Sequence, residues 1–351
     1  MKPLVSILIP AYNAQEWLAD TIGSALAQSW PRKEIIVIDD GSTDQTLGVA
    51  QRFEPSGVQV FTQTNQGVCA ARNRAISLSR GDYIQWLDAD DLLHPDKIAL
   101  QMAALGERPN PRILLSGEWG RFWYRWRRAE FVPTSLWCDL SASEWLIRNM
   151  QNDIYMTDHS WLVSREVTED AGPWDTRLLR DNDGEYFARV LLASAGTRFV
   201  PGAKAYYRMS GSGSVSHIGT SNKKKDSKWL SMRLHIGYLR SVDDSQRARK
   251  ACVAYLQNWM GTFYPERMDI FEDASRLAGE LGGQLDVPRW PWKYDPILAV
   301  FGWQRARRAH LVLSGLRHSV YASWDKALFR LSDRRPGFRP ELFSRGERPR
   351  T

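Results

Sequence analysis

The sequence predicts an α/β protein: a mostly parallel sheet flanked by helices, followed by a mainly helical C-terminal region. Two observations carry this expectation. Short apolar runs and helical patterns alternate along the N-terminal part at roughly 30-residue intervals, as βαβ units do. Each apolar run also ends in polar or acidic residues. Val5–Ile9 closes on Pro10-Ala11-Tyr12-Asn13, Glu34–Ile38 on Asp39-Asp40-Gly41-Ser42, and Tyr83–Leu87 on Asp88-Ala89-Asp90-Asp91. Ligands of open parallel sheets bind outside the carboxyl ends of the strands, so these endings are where chemistry is expected.

The elements follow in order. After the first strand, Trp17, Leu18, Ile22, Ala25 and Leu26 recur at helical spacing. A second strand reaches Asp39, and a third run, Val58–Phe61, leads through Asn65-Gln66-Gly67 into a helix that carries Arg72. The fourth run ends in three carboxylates within four residues. Such a cluster repels itself unless positive charge joins it. A hard divalent cation bound to substrate phosphates meets that need, since Mg²⁺ and Mn²⁺ favour oxygen ligands. Asp88 and Asp90, two apart, face the same way while the chain is extended. The plainer alternative is an acidic N-cap, Asp90 or Asp91, for a helix starting near Pro95. Tyr12 offers an aromatic face to a nucleobase, or packs under the first helix. Asp39 and Asp40 are acceptor-only groups suited to a uracil imide N–H and a ribose hydroxyl. Asp40-Gly41-Ser42 equally suits an Asx turn. No His/Cys cluster has zinc spacing.

Ile9-Pro10-Ala11-Tyr12-Asn13, Ile38 through Ser42, Gly67 through Arg72-Asn73, and Leu87 through Asp91 resemble, in order and spacing, the successive motifs of family 2 glycosyltransferases. The resemblance covers residues 4–100 strongly and continues more weakly to 210. It implies a GT-A fold, a nucleotide-sugar donor, a divalent cation (Mn²⁺ or Mg²⁺) and inversion at the anomeric carbon. It implies donor contacts for Pro10, Tyr12, Asn13, Asp39, Asp40, Arg72, Asp88 and Ala89. Within that set Asp39 recognises the base, Asp40 supports it or meets the ribose, and Arg72 contacts base or phosphates. Asp90 becomes the direct metal ligand, and Asp88 a contact to ribose, to metal-bound water or to the metal. Asp91 becomes a supporting group or cap. The segment Ala171–Val190 resembles the family stretch in which a Gly-Phe/Trp-Asp turn precedes a Glu-Asp pair at a helix start. Counting back from Arg189 places that pair on Asn182 and Asp183, with Asn182 where Glu is common. Asp183 is then the general base that an inverting transfer needs. Asp181 and Glu185 remain candidates for that role, and an acidic first helical turn is the structural alternative.

Acceptor contacts are expected from His159, Trp161 and Asp181. The interleaved Trp119–Arg128 reads as a strand bordering the acceptor cleft. His217, in the glycine/serine stretch after Tyr206-Tyr207-Arg208, is a further candidate metal ligand. The expected organisation is a catalytic domain over 1–220, with donor half 1–100 and acceptor half 101–220. A helical, basic region over 221–340 and a disordered tail over 341–351 would follow. The chain has 351 residues and a net charge of +7. Residues 289–351 hold 14 Lys/Arg against 5 Asp/Glu, a balance of +9, which leaves −2 for the rest. Trp290, Trp292, Trp303 and Trp324 lie in that basic stretch, a composition suited to an anionic membrane surface. A basic helix packed on the core fits as well, and no nucleic-acid module is visible. The absence of a long apolar span or leader, with three unpaired cysteines, points to the cytoplasm, peripheral on the inner face of the plasma membrane. The expected activity is transfer of a sugar from a nucleoside diphosphate, most simply UDP, to a hydroxyl of a glycan or lipid-linked glycan. A nucleotidyltransferase would carry a glycine-rich phosphate loop after the first strand, and Pro10-Ala11-Tyr12-Asn13 is not one. A non-catalytic sugar-nucleotide scaffold is the other alternative.

Overall fold

The computed structural model describes residues 2–106, 110–209, 221–288 and 319–331. Its N-terminal part alternates β1 (Val5–Ala11), α1 (Leu18–Leu26), β2 (Lys33–Asp39), α2 (Thr46–Gln51), β3 (Val58–Thr62), α3 (Val68–Leu78) and β4 (Tyr83–Trp86). Then come β5 (Leu92–Leu93), α4 (Lys97–Ala104), β6 (Leu114–Phe122), β7 (Glu130–Phe131), α5 (Ala142–Asn152), β8 (Val163–Ser164), α6 (Arg165–Ala171), α7 (Asn182–Ala193) and β9 (Thr197–Arg208). Three helices follow, α8 (Asn222–Val242), α9 (Gln246–Phe263) and α10 (Met268–Glu280), and a further helix spans 319–331.

The main sheet has the order β3-β2-β1-β4-β8, parallel except for β8. Every residue of β1 is buried, which is why the strand is a continuous apolar run rather than an alternating one. Pro10 sits in this central strand without costing a ladder bond. Leu8 points its carbonyl at β4, where Leu87 N–H meets it, and Pro10 faces the same side two residues on. Pairing with β4 has stopped at Leu8, so the missing N–H of Pro10 meets no partner strand. There the strands part, at the point where the strand order reverses and ligands of such sheets lodge.

A second sheet, β5-β9-β6-β7, joins at this place. Residues 87–91 leave β4 of the first sheet and enter β5 of the second, so the acidic run is the joint between the sheets. One hydrophobic core runs from β1 through α7 into α8, α9 and α10, holding Val5 and Phe263 alike. The boundary expected near Lys223–Lys225 is therefore no gap in packing: Lys225 is buried and pairs with Glu266. The strand expected over Trp119–Arg128 stops at Phe122, and Trp126–Arg128 forms a short 3₁₀ turn. His217, the 341–351 tail, and Trp290, Trp292 and Trp303 lie outside the described residues. No described helix is long and apolar enough to cross a membrane.

Candidate active site

The residues expected on the donor side lie at the carboxyl ends of β1, β2 and β4 and on α3. Asn13 adopts a left-handed conformation (φ 49°), and its backbone N–H donates to Ser42 Oγ. Its Oδ1 accepts the Thr43 N–H at 2.8 Å, tying the β1 and β2 loops together. Tyr12, beside it, stays 51 % exposed. Asp39 accepts from Thr62 Oγ1, and Asp40 accepts from Gln63 Nε2, Gln66 N–H and Gly67 N–H. Asp40 is thus the staple that fixes the loop before α3. Gly41 is required where it stands: φ is +70°, and a Cβ would lie 2.7 Å from Asn65 N.

Arg72, on α3 and almost wholly buried, is the centre of the arrangement. Its guanidinium donates to Asp88 Oδ1 (2.7 Å), Asp158 Oδ2 (2.6 Å) and Asn182 Oδ1 (2.9 Å), and lies 4.1 Å over the Trp174 ring. Trp174 is placed by a reciprocal pair of hydrogen bonds between its backbone and the Asn73 amide. One side chain thereby joins the end of β4, the 158–160 turn and the start of α7. Limited hydration and the nearby Asp158 hold the Asp88 carboxyl above the usual range; Arg72 opposes this, while Asp91 and Asp90 add to it.

Beneath this layer, His159 is fully buried, its Nδ1 3.0 Å from Asp91 Oδ2 and 3.2 Å from Asp158 Oδ1. Burial alone would lower its pKa, but the two carboxylates prevail and push it up to about 10. Asp91, Asp158 and His159 have the residue types of a metal site. Arg208 closes the acidic turn from the other side. Its backbone N–H donates to Asp91 Oδ1 and its Nε to the Asp90 carbonyl, both at 2.7 Å, while the guanidinium lies 4.2 Å over Trp17. Thr21 Oγ1 holds the Ala89 carbonyl at 2.9 Å. The cap expected of Asp91 is not its role, since α4 begins after Asp96.

Across the cleft, Asp183 lies in the first turn of α7, with Asn182 bound to Arg72. Burial and the charges of Asp181 and Asp158 raise its pKa, against Arg72 and the Gly184 N–H. Asp181, in a left-handed conformation (φ 58°), accepts from Lys228 Nζ (2.7 Å) and Ser231 Oγ (2.6 Å). Burial opposes ionisation there, but Lys228 and His235 prevail and lower its pKa to about 2, a poor range for a base. Glu185 is buried on Arg189 and Tyr238. Asp181 and Glu185 are thus each held by a cationic side chain of a helix.

The acceptor-side expectations need correction. His159 and Trp161 are both buried, Trp161 stacking on Phe187, and Asp181 is committed to α8, so none of them offers a surface to an acceptor. Sequence reasoning did not assign roles to Asp158, Asn182, Trp174 or Arg208. The available signal for Arg208 was an arginine ending an aromatic strand, a residue that is rarely buried unless paired.

The site is thus an acidic joint at the switch point of an α/β sheet, held by two buried guanidinium groups, at the place where ligands of such sheets bind. Residues 6–172 match the model of glycosyl transferase family 2. A Haemophilus influenzae protein named an uncharacterized glycosyltransferase is 44% identical over 103 residues, 28% of this chain and 41% of that protein. Escherichia coli chondroitin synthase is 44% identical over 100 residues, 28% of this chain and 15% of that protein. The chain spans less than half the length of either relative. Staphylococcus aureus TarS 1–349 in complex with UDP-GlcNAc matches with a TM-score of 0.64 at 17% identity, over 79% of this chain and 80% of that one. The family match covers just under half of the chain, and the fold is GT-A.

Proposed function

We propose that the protein is an inverting glycosyltransferase that moves a sugar from a nucleoside diphosphate, UDP by preference, to a hydroxyl of a glycan or lipid-linked glycan. The observation that carries this reading is the Arg72 bridge, which ties Asp88 on the donor side to Asn182, the neighbour of Asp183, on the other. Tyr12 stacks on the base and Asp39 accepts its imide N–H, while Asn13, Asp40 and Ala89 hold the loops around it. The acceptor oxygen attacks the anomeric carbon as the bond from that carbon to the diphosphate oxygen breaks. The leaving diphosphate keeps the electron pair, and Asp183 takes the hydroxyl proton.

Asp90 and Asp88 are hard oxygen donors at the acidic joint, a donor chemistry that fits Mn²⁺ or Mg²⁺. When bound, such an ion offsets charge on the departing diphosphate. Peripheral placement on an inner membrane face follows from the basic C-terminal stretch. UDP-GlcNAc in the TarS structure supports the choice of UDP.

The test is calorimetric titration of UDP, GDP and CDP, with and without Mn²⁺, on wild type and Asp90→Ala. Metal-dependent binding of one nucleotide, lost in the variant, supports the donor site. If no nucleotide binds under any condition, the donor assignment fails. Tight binding without transfer from any sugar form would favour a scaffold.

A further inference from the structure

We infer that the 319–331 helix is a contact for an anionic lipid surface, with its inner face clamped beside the donor loops and its outer face turned to the bilayer. The helix is amphipathic in an unusual sense: both faces are specialised. On the inner face, Asp325 Oδ2 accepts the N–H groups of Tyr124 (2.9 Å) and Arg125 (3.1 Å), and its Oδ1 accepts from Arg125 Nε. Lys326 Nζ lies 3.5 Å from Glu16 and 5.1 Å over the Tyr124 ring, and Phe329 also meets that ring. Tyr124 packs on Trp17, the residue on which Arg208 stacks below the acidic turn. The helix is thus fixed against the loop that follows Tyr12 and Asn13.

The outer face carries Val320, Trp324 and Leu331, which are 67%, 66% and 77% exposed, with Tyr321 beside them at 58%. Val320, Trp324, Ala327 and Leu331 follow the spacing i, i+4, i+7, i+11, so they form one stripe. Among the described residues no other stretch of this length exposes four large apolar side chains. A helix of this length spans only about 20 Å, too short to cross a bilayer but suited to lying along it with Trp at the interface.

Charge selects the occupant. The stripe belongs to a 63-residue stretch, 289–351, of net charge +9, whereas the preceding part of the chain sums to −2. Attraction between basic residues and an anionic surface falls with salt. An apolar stripe within a basic segment matches a bilayer rich in anionic lipid better than an uncharged one.

This inference deepens the peripheral placement proposed above, and its test is independent of transfer. The full chain is sedimented with phosphatidylcholine vesicles and with vesicles containing phosphatidylglycerol, at low and high salt, beside Trp324→Ser/Leu331→Ser. Both positions are solvent-exposed, so the variant should fold, and UDP titration and circular dichroism check this. The expected result is salt-sensitive binding to the anionic vesicles, weakened tenfold or more in the variant. Failure of the wild type to bind, binding without lipid preference, or full binding by the variant would overturn the inference. A dimer abolished by the same variant would assign the stripe to a second copy and overturn it as well. Vesicle binding without nucleotide binding would leave this inference standing while the donor site fell.

Discussion

Arg72→Met is the substitution that tests the centre of the site. It keeps an apolar stem and deletes a guanidinium that lies over Trp174 and meets three partners. Asp158, 5% exposed, cannot rehydrate, whereas Asp88 at 37% partly can. Most of the cost therefore comes from Asp158. Removing one partner of a buried pair costs about 3–5 kcal/mol. A neutral hydrogen bond to Asn182 adds less, and the terms overlap, so the expected loss is about 4 kcal/mol. Urea unfolding followed by tryptophan fluorescence measures it. A double-mutant cycle with Asp158→Asn then separates an orphaned charge from simple loss of packing. Neutralising Asp158 should cost less in the Arg72→Met background than in wild type, by about 1–3 kcal/mol. A loss below about 1 kcal/mol for the single change, or full additivity in the cycle, would refute the hub role of Arg72.

Three further expectations follow from the same geometry. Asp183→Asn should lower kcat by about 10²- to 10⁴-fold while calorimetric UDP affinity stays unchanged; unaltered turnover would remove the base assignment. His159 is a group whose folded pKa, about 10, lies above its unfolded value, so its stabilisation is complete below about pH 6.5 and is lost as pH rises toward 10. His159→Gln should therefore flatten the alkaline loss of stability by up to about 1.4 kcal/mol per pH unit, and parallel curves for the two proteins would show that the imidazole is not protonated. Tyr12→Ala should raise the donor KM about tenfold with kcat little changed, because stacking on a base is worth about 1–3 kcal/mol; equal donor KM values would place the base elsewhere.

The donor half was legible because its signals are local. Strand ends and carboxylates fall within a few residues of each other, and Gly67, which opens α3 with φ 89°, marks a helix start that the sequence reading placed at the same point. The start of α7 at Asn182 was reachable for the same reason, by counting along one helix. The acceptor side was not legible, since burial is set by long-range packing. A polar pair such as Asp158-His159 reads as exposed in sequence, yet it lies under β6 and β9, with the His159 ring parallel to Tyr207. Asp158 meets Arg72 across 86 residues and Asn182 does so across 110, distances that no motif spacing conveys. The strand through Trp119 ran too long in the reading because alternating aromatics and arginines continue past Phe122, into a turn whose backbone N–H groups bind Asp325.

The division at residue 220 meets a physical objection, because the helices beyond it help to hold the first turn of α7. Asp181 precedes Asp183 in a left-handed conformation, one that Asp adopts more readily than most residues. Its carboxylate is held from α8 by Lys228 and Ser231. Tyr255 on α9 sits between Lys228 and His235, and Lys228 lies 3.8 Å over Trp259. Gly184 completes the fit, since a Cβ there would come within 2.6 Å of Asp181 Oδ1 and 3.2 Å of His235. The family match ends at residue 172, before any of these contacts begin. Without α8, Asp181 would lose its cation, and the first turn of α7 would lose its tie to the helices. Arg72 holds that turn through Asn182 on one side and Lys228 through Asp181 on the other, so Asp183 lies between the two parts of the chain rather than belonging to either.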